Sequence, residues 1–336
     1  MKTWYGYTSG IWDIACSAVG PLLAAGSQDH AIRLWDWETG DCLHILKGHR
    51  DLIWAVAWNK ESQVLASASQ DQTLRLWNPK TGKCLHTLES DSILQAVAWR
   101  PNGRQLVGAG LNGVVRIWDS CTGQCLQTFE TGDAAFAVAW SPIENLIAIG
   151  AQTPVVWLWD TQSGKCLKAL EGHTNAVWAL AWSLDGKLLA SGSHDNTIRL
   201  WDSQTGDCLR IFEGHTDWIW SIDLSCDDRF LVSASQDQTL RLWDVQTGQC
   251  LHIFEGHSSI VRSVSWTSQQ QIFASGSTDE TIKLWDMNTG RCLKSLRAKR
   301  LYEGMNITGG TGLTGAQKAT LKTLGAIEET IMVRKV

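Results

Sequence analysis

Short runs of apolar residues, separated by polar turn residues, follow one another along most of the chain. Between residues 177 and 212 the apolar positions predict four strands, at 177–182, 187–191, 197–201 and 208–212. The runs are rich in β-branched and aromatic residues and are bounded by Gly, Asp, Asn or Ser, as antiparallel strands joined by tight turns require. Both faces of these strands are apolar, so we expect each small sheet to be covered on both sides.

This four-strand pattern repeats at a nearly constant spacing. The third strand ends in Trp-Asp or Trp-Asn, with the Trp at positions 35, 77, 118, 159, 201, 243 and 285, so the period is 41 or 42 residues. A period of this length with this dipeptide is typical of a propeller blade. From residue 1 to about 297 the chain resembles the WD40-repeat family. The resemblance implies an all-β, seven-bladed WD40 β-propeller of four-stranded antiparallel blades.

We therefore expect a propeller over residues 1–297 and a C-terminal tail over 298–336. Seven blades can close a ring and remove exposed sheet edges, and the last repeat supplies its own fourth strand at 292–297. Residues 1–5 also match the end of a fourth strand. Two explanations of that match stay open: the chain was cut from a longer array, or two segments compete for one edge.

The tail departs from the repeat. Thr314 and Gln317 form a capping-box pattern, which predicts a short helix near 315–324 that Gly325 closes. The stretch from Tyr302 to Gly309 and the residues after it resemble a tail found after propellers in bacterial, especially cyanobacterial, WD-repeat proteins. Many of those proteins carry an upstream signal-transducing NTPase domain. The resemblance therefore suggests a sensor or autoinhibitory propeller separated from such an NTPase.

Composition narrows the class of protein further. The chain of 336 residues has only five Pro, 44% hydrophobic residues and 20 Trp, which favours a well-packed globular protein. With a formal net charge of -5, the chain lacks the excess of basic residues that is typical of nucleic-acid-binding proteins. The sequence has neither an apolar run of membrane-spanning length nor a signal peptide, so we expect a soluble cytoplasmic protein without nucleic-acid or membrane partners.

The ten cysteines do not indicate disulfides or a metal site. Seven of them stand at one position of the repeat, two residues after a turn Gly: Cys42, Cys84, Cys125, Cys166, Cys208, Cys250 and Cys292. Such cysteines lie on different blades and cannot pair as neighbours, and the histidines lack metal-ligand spacing. We expect these cysteines to be small apolar residues packed in a strand, and we expect no metal and no cofactor.

The family resemblance also implies a buried hydrogen-bonded row of His, Ser, Asp and Trp in each blade. Four rows, which we call tetrads, are complete: His49, Ser67, Asp71 and Trp77; His173, Ser191, Asp195 and Trp201; His215, Ser233, Asp237 and Trp243; and His257, Ser275, Asp279 and Trp285. A structural role is favoured over hydrolase chemistry, because the set occurs four times and no Gly-x-Ser-x-Gly surrounds these serines. Repeats 1, 3 and 4 depart from the pattern, so we expect less rigid turns there.

The resemblance implies that one face of the ring binds ligands, and that the side chain five residues past the His position points there. These positions, which we call the mouth ring, are Trp12, Trp54, Gln95, Phe136, Trp178, Trp220 and Arg262. Trp218 lies two residues before the sixth of them. The residues just before the turn Asp add further candidates: Gln28, Gln70, Gln152, His194 and Gln236. Trp and Arg are the residue types most enriched among binding hot spots.

We expect a non-enzymatic interaction scaffold or ligand-sensing module that binds a peptide or protein segment on this aromatic face. The propeller is expected to be monomeric within a larger assembly. Besides the NTPase-linked sensor, one alternative is a lectin-like binder that stacks sugars on Trp. An aromatic cage for an amine is less favoured, because no acidic residue belongs to the mouth ring. The alternative without a binding role is that the Trp residues were repeated by duplication and pack over the channel mouth.

Overall fold

The computed structural model describes residues 10–61, 63–143, 145–269, 271–298, 305–308, 312–323 and 326–328. Within these ranges twenty-eight strands form seven four-stranded antiparallel sheets, and one helix follows them. Each sheet is built from four strands that are consecutive in the sequence. The predicted seven-bladed, all-β propeller is thus confirmed.

The strands take equivalent places in every blade. The first strands are β1 (Ile11–Cys16), β5 (Ile53–Trp58), β9 (Leu94–Trp99), β13 (Ala135–Trp140), β17 (Val177–Trp182), β21 (Ile219–Leu224) and β25 (Val261–Trp266). The second strands are β2 (Leu22–Ser27), β6 (Leu65–Ser69), β10 (Gln105–Gly110), β14 (Leu146–Ala151), β18 (Leu188–Ser193), β22 (Phe230–Ser235) and β26 (Ile272–Ser277). The third strands are β3 (Ala31–Asp36), β7 (Thr73–Asn78), β11 (Val114–Asp119), β15 (Val155–Asp160), β19 (Ile198–Asp202), β23 (Leu240–Asp244) and β27 (Thr281–Asp286). The fourth strands are β4 (Cys42–Lys47), β8 (Lys83–Glu89), β12 (Cys125–Glu130), β16 (Lys165–Glu171), β20 (Cys208–Phe212), β24 (Cys250–Phe254) and β28 (Cys292–Arg297).

The predicted boundaries lie close to those observed. In the fifth blade the first and fourth strands have the predicted limits, and the second and third each begin one residue later than expected. By contacts, the chain divides into two compact units, Met1–Leu296 and Arg297–Val336. Residues 1–5, whose place in the closing blade stays open, lie outside the described residues.

The helix of the tail, α1 (Gly315–Thr323), begins where the capping box predicts. The Thr314 N–H donates to Gln317 Oε1 at 2.8 Å, and the Gln317 N–H donates to Thr314 Oγ1 at 3.2 Å. These two reciprocal bonds satisfy donors that a helix start would otherwise leave unpaired. Gly325, which was expected to close the helix, lies outside the described residues.

Blade interfaces, rather than shared strands, close the ring. Strand β1 lies beside β5 on one side and β25 on the other. One apolar cluster joins the first blade to the last and includes Ile11, Trp35, Ile282 and Leu284. The approach is close, because a Cβ on Gly276 would lie 2.7 Å from Ile11 Cγ2. Only glycine fits there without displacing the neighbouring blade.

Indole groups at the ends of four first strands link these four blades to the blades that precede them. The Nε1–H groups donate to main-chain carbonyls one blade earlier, at 2.9 to 3.3 Å: Trp58 to Ala15, Trp99 to Ala57, Trp182 to Ala139 and Trp266 to Asp223. Each bond satisfies a donor that burial would otherwise leave unpaired. These inter-blade bonds were not predicted from the sequence.

A buried carboxylate joins three blades at the ring closure. Asp13 accepts the Val56 N–H at 2.8 Å and the Ser263 hydroxyl at 2.6 Å. Burial raises the pKa of Asp13 to about 6, and these hydrogen bonds only partly offset it. Burial likewise raises the pKa of Asp223 to about 6. Ionisation of either carboxyl therefore opposes folding at neutral pH.

The pKa of Asp13 predicts a pH dependence of stability. Its pKa is higher in the folded chain than the ordinary value of about 3.9, so its contribution to stability is complete below pH 4 and is lost as the pH rises through 6. Relative to Asp13→Asn, the wild-type free energy of unfolding should fall by about 3 kcal/mol between pH 4 and pH 7. Urea unfolding at each pH measures this difference.

The matched control is Asp41→Asn, which changes an exposed carboxylate. Its pH profile should follow that of the wild type. Parallel profiles for wild type and Asp13→Asn would contradict the assignment.

Candidate functional site

A β-bulge at the start of every first strand places the mouth ring. In the first blade Ile11 pairs with Ser27 and Asp13 with Gly26, so Trp12 is the extra residue of the bulge. The same shift occurs in the other six blades, at Trp54, Gln95, Phe136, Trp178, Trp220 and Arg262. A bulge re-aims the side chain of its extra residue. This repeated irregularity explains why seven residues from different blades converge.

All seven residues of the mouth ring line one cavity, which we call the mouth cavity. Its volume is about 180 Å³, and Asp13 also belongs to its wall. Gln95 is only 8% exposed, and the other six ring residues are half-buried. At about 30 Å³ per water molecule the cavity has room for about six waters. It therefore fits a side chain or a small molecule rather than a folded segment.

Four ring systems stack in one row along one side of the mouth. The centroids of Phe136 and Trp178 are 4.1 Å apart, those of Trp178 and His194 are 4.9 Å apart, and those of His194 and Trp218 are 4.1 Å apart. Trp220 meets Trp178, His194 and Trp218 edge-on. The row ends at Trp218, which is 38% exposed. It forms a continuous aromatic surface from the cavity to solvent.

Arg262 occupies the space between two aromatic rings of the mouth. Its guanidinium carbon lies 3.9 Å from the Trp12 centroid and 3.6 Å from the Trp220 centroid. Burial lowers the pKa of Arg262 to about 9, so the group stays cationic at neutral pH. Arg262 Nε has no hydrogen-bond partner among the described residues. Of those residues, Trp12 and Trp220 are the neighbours whose aromatic faces stabilise the cation.

The mouth also contains buried polar atoms that lack hydrogen-bond partners within the described part of the chain. They are the indole nitrogens of Trp12, Trp54, Trp178 and Trp220, Arg262 Nε, His194 Nε2 and Gln95 Oε1. Burial, followed by the charge of Arg262, lowers the pKa of His194 to about 4, so its ring is neutral at pH 7. The four indoles and the guanidinium can only donate. The site is therefore rich in hydrogen-bond donors.

The other candidate residues lie in different surroundings. His194 and Trp218 join the aromatic row, but Gln28, Gln70, Gln152 and Gln236 do not line the mouth cavity. Gln28 and Gln152 are exposed, and Gln70 and Gln236 are half-buried. These four residues precede the turn between the second and third strands, one strand farther from the cavity. Of the pre-turn candidates, only His194 reaches the aromatic row.

The four tetrads form continuous hydrogen-bonded chains. In the second blade the Trp77 indole donates to Ser67 Oγ at 2.8 Å, Ser67 lies 2.7 Å from His49 Nε2, and His49 Nδ1 lies 2.9 Å from Asp71 Oδ2. The tetrads that end at Trp201, Trp243 and Trp285 have the same contacts within 0.2 Å. If Ser67 donates to a neutral His49, every member has a partner.

The ionisation of the tetrad follows from burial and hydrogen bonding. Burial lowers the pKa of His49 and outweighs the opposing effect of Asp71. Burial alone would raise the pKa of Asp71, but hydrogen bonds from His49, Thr73 and the Arg50 N–H hold it below its ordinary range. The Thr73 hydroxyl, 2.7 Å from Asp71 Oδ1, is a fifth member that the sequence analysis missed. The repeated Asp-x-Thr spacing was its only signal, and it also marks Thr197, Thr239 and Thr281.

The tetrad serines are closed to substrate. Ser67, Ser191, Ser233 and Ser275 are fully buried, at 0% exposure. Each hydroxyl oxygen already accepts an indole N–H. Although the contacts of His with Ser and Asp match those of a hydrolytic triad, no reacting carbonyl can reach these oxygens without opening of the blade.

Blades 1, 3 and 4 replace the tetrad with other contacts. Arg33 Nη1 lies 3.0 Å from Asp29 Oδ1 in blade 1, and Arg116 pairs with Asp91 at 2.8 Å in blade 3. Where Ala25 and Ile149 replace the serine, the indole nitrogens of Trp35 and Trp159 have no partner among the described residues.

The turn of blade 4 also has a different backbone. Five blades place a non-glycine residue with positive φ after the turn Asp: His30, Gln72, Asn196, Gln238 and Glu280, with φ between 66° and 71°. Blade 4 has Pro154 there, whose ring fixes φ near −65°. The Val155 N–H instead donates to the Thr153 carbonyl at 2.7 Å.

The expectation that the repeated cysteines pack as apolar residues is wrong. Six of the seven are exposed and Cys250 is half-buried. They lie on the fourth strand, the outermost of each blade, where their thiols are directed to carbonyls two residues ahead, as in Cys84 to His86 at 3.2 Å. All ten cysteines are free thiols. No cluster suited to a metal ion occurs among the described residues, and no helix described there is long and apolar enough to cross a membrane.

A ring of four-stranded blades with one cavity at the mouth defines a β-propeller of the interaction class, a typically non-enzymatic scaffold fold. Six segments match the family model "WD domain, G-beta repeat", at residues 1–36, 40–78, 82–119, 164–202, 206–244 and 248–286. The chain therefore belongs to the WD40-repeat family. The matched segments leave out residues 120–163, which contain most of the divergent blade 4.

In each of three similar proteins, the matched segment is about as long as one blade. The chain is 75% identical over 32 residues to the uncharacterized WD repeat-containing protein alr2800 of Nostoc sp., which is 10% of this chain and 2% of that protein. It is 64% identical over 33 residues to the uncharacterized WD repeat-containing protein alr3466 of Nostoc sp., again 10% and 2%. It is 39% identical over 44 residues to eukaryotic translation initiation factor 3 subunit I of Pyricularia oryzae, 13% of each chain. The matched segments span only a small part of these relatives.

The tetrad geometry predicts a stability cost for Asp195→Ala. The substitution removes the acceptor for His173 Nδ1, the Thr197 hydroxyl and the Thr174 N–H. Leaving these donors unpaired should lower the free energy of unfolding by about 1 to 3 kcal/mol, measured by urea unfolding.

Thr153→Ala is the matched control, because Thr153 is the equivalent residue of blade 4, one of the three blades that lack the tetrad His. It should change the free energy of unfolding by less than about 0.5 kcal/mol. Equal costs for the two variants would refute the structural role.

Proposed function

We propose that this chain binds a peptide or protein segment across the mouth ring, and that Trp218 and the rest of the aromatic row form the main contact surface. One observation carries the proposal: seven bulged residues converge on one cavity, where four indole nitrogens and Arg262 Nε have no hydrogen-bond partner among the described residues. Buried donors without partners cost free energy. A ligand that supplies acceptors removes that cost.

The extended aromatic row supports a segment rather than an isolated small molecule. It continues from the cavity through Trp178 and His194 to the exposed Trp218. Large rigid side chains of this kind supply contact area at little conformational cost. The candidate glutamines, whose amides could bind a peptide backbone or a sugar, lie outside the cavity wall, so the proposal depends on the aromatic row and not on them.

Arg262 also argues against an aromatic cage for an amine. Its guanidinium already occupies the position between Trp12 and Trp220 that a ligand cation would take. A second cation there would meet like charge. Scaffold propellers of this kind bind ligands of many types. Here the contacts of Arg262 favour a ligand that carries hydrogen-bond acceptors.

Trp220→Ala should weaken peptide binding, because Trp220 contacts both the aromatic row and Arg262. Peptides are first selected for binding to the wild-type full chain from a random displayed library. Their dissociation constants should rise by at least about thirtyfold with Trp220→Ala, as expected for a hot-spot Trp. Calorimetric titration measures them, with the melting temperature as a check of folding.

Ile253→Ala is the control, because Ile253 is 50% exposed on a fourth strand. It should leave the dissociation constants unchanged. Failure to select any peptide that depends on Trp220, or specific binding to a glycan array instead, would overturn the proposed function.

A further inference from the structure

Within the described part of the chain, the cation in the mouth cavity is not paired with an anion. No described carboxylate pairs with the Arg262 guanidinium, although it is half-buried between Trp12 and Trp220. A desolvated cation without a counter-charge is costly to the folded state. Stacking on two aromatic faces offsets part of that cost and fixes the planar group in one orientation. A cation held in this way is prepared to bind an anion.

The one carboxylate in the cavity wall is already engaged. Asp13 accepts the Ser263 hydroxyl through Oδ1 and the Val56 N–H through Oδ2. Burial raises its pKa to about 6, which fits a group that lacks a close cationic partner. Asp13 therefore does not neutralise Arg262. The counter-charge has to come from outside the described residues.

The groups around the guanidinium add only donors. Indole N–H groups of Trp12 and Trp220, the two rings that enclose the guanidinium, have no described partner, but these nitrogens and Arg262 Nε are themselves buried. Arg262 is half-buried and lines the cavity, so the terminal fork of its guanidinium is the part that an entering group meets. A planar carboxylate can accept a guanidinium fork with one edge. An amine or a guanidinium would supply no acceptor.

The rim of the mouth has the opposite charge. Asp51, Asp133 and Asp217 lie in the loops before first strands, and each accepts the N–H of the residue that follows it. These carboxylates disfavour an extended acidic stretch across the face. A single acid with neutral or basic neighbours fits both the cation inside and the acids outside. The cavity of about 180 Å³ holds one such side chain.

We propose that the bound segment inserts one acidic side chain, Asp or Glu, into the mouth cavity, where its carboxylate pairs with the guanidinium of Arg262. This inference rests on the proposed function, since it names the part of the segment that enters the cavity. It also assigns neutral or basic residues to the positions that flank the acid.

A double-mutant cycle on selected peptides tests the pairing. Peptides that bind the full chain in a Trp220-dependent manner should share an Asp or Glu. Replacing that residue with its amide should weaken binding to the wild type by at least about tenfold, and binding to Arg262→Gln by less than about threefold. Arg262→Lys keeps the charge without the fork, so it should retain part of the preference for the acid.

Arg262→Gln removes a cation that has no ion-pair partner among the residues described, so its melting temperature should equal or exceed that of the wild type. If this variant does not fold, the acid-to-amide comparison on the wild-type chain decides alone. A change smaller than threefold there overturns the inference.

The remaining outcomes separate the two proposals. Peptides that need Trp220 but carry Lys or Arg instead of an acid, or that tolerate the amide, would overturn the acidic insertion and leave the proposed function intact. Tighter binding of a phosphoserine peptide than of its glutamate counterpart would assign the pocket to phosphate, and equal binding of free glutarate would assign it to small carboxylic acids. If no peptide binds in a Trp220-dependent manner, the proposed function itself fails.

Discussion

Contacts between the side chains of neighbouring blades hold this ring together. Every described sheet uses four consecutive strands, so no main-chain ladder crosses from one blade to the next. Apolar clusters, four indole-to-carbonyl bonds and the Asp13 bridge carry the cohesion instead. Each blade is stable only against its neighbours, and the first must therefore pack on the last. That packing brings the starts of seven first strands together, and the mouth cavity follows from it.

The sequence predicts most of the fold because the repeat is regular. Trp-Asp at 41- or 42-residue spacing defines blade number and strand order, and the spacing of His, Ser, Asp and Trp identifies the members of each tetrad. Two features could not be predicted from the sequence. A Cys-Leu pair does not reveal that both of its residues face solvent on an outermost strand, so the exposure of Cys42 was misjudged. The partner of Trp58 is a carbonyl one blade away, and no local pattern encodes that distance.

The candidate site was predictable in position but not in chemistry. Counting from the His position identifies the mouth ring, yet the bulge that turns Trp12 and its equivalents inward depends on backbone register. The enclosure of Arg262 by Trp12 and Trp220 joins the seventh blade to the first and sixth, which sequence order cannot show. Gln70 and Gln236 looked equivalent to His194, but only the imidazole is an aromatic ring that can extend the row.

The proline turn of blade 4 removes the sevenfold equivalence of this face. Pro154 rules out the left-handed backbone that five other turns share, and the tetrad is absent from the same blade. Arg262 marks a second position, three blades farther along the chain. Rotation of the ring by one blade therefore never superimposes the face on itself. A partner that contacts both marks can dock in a single rotational setting, which gives direction to an otherwise repetitive surface.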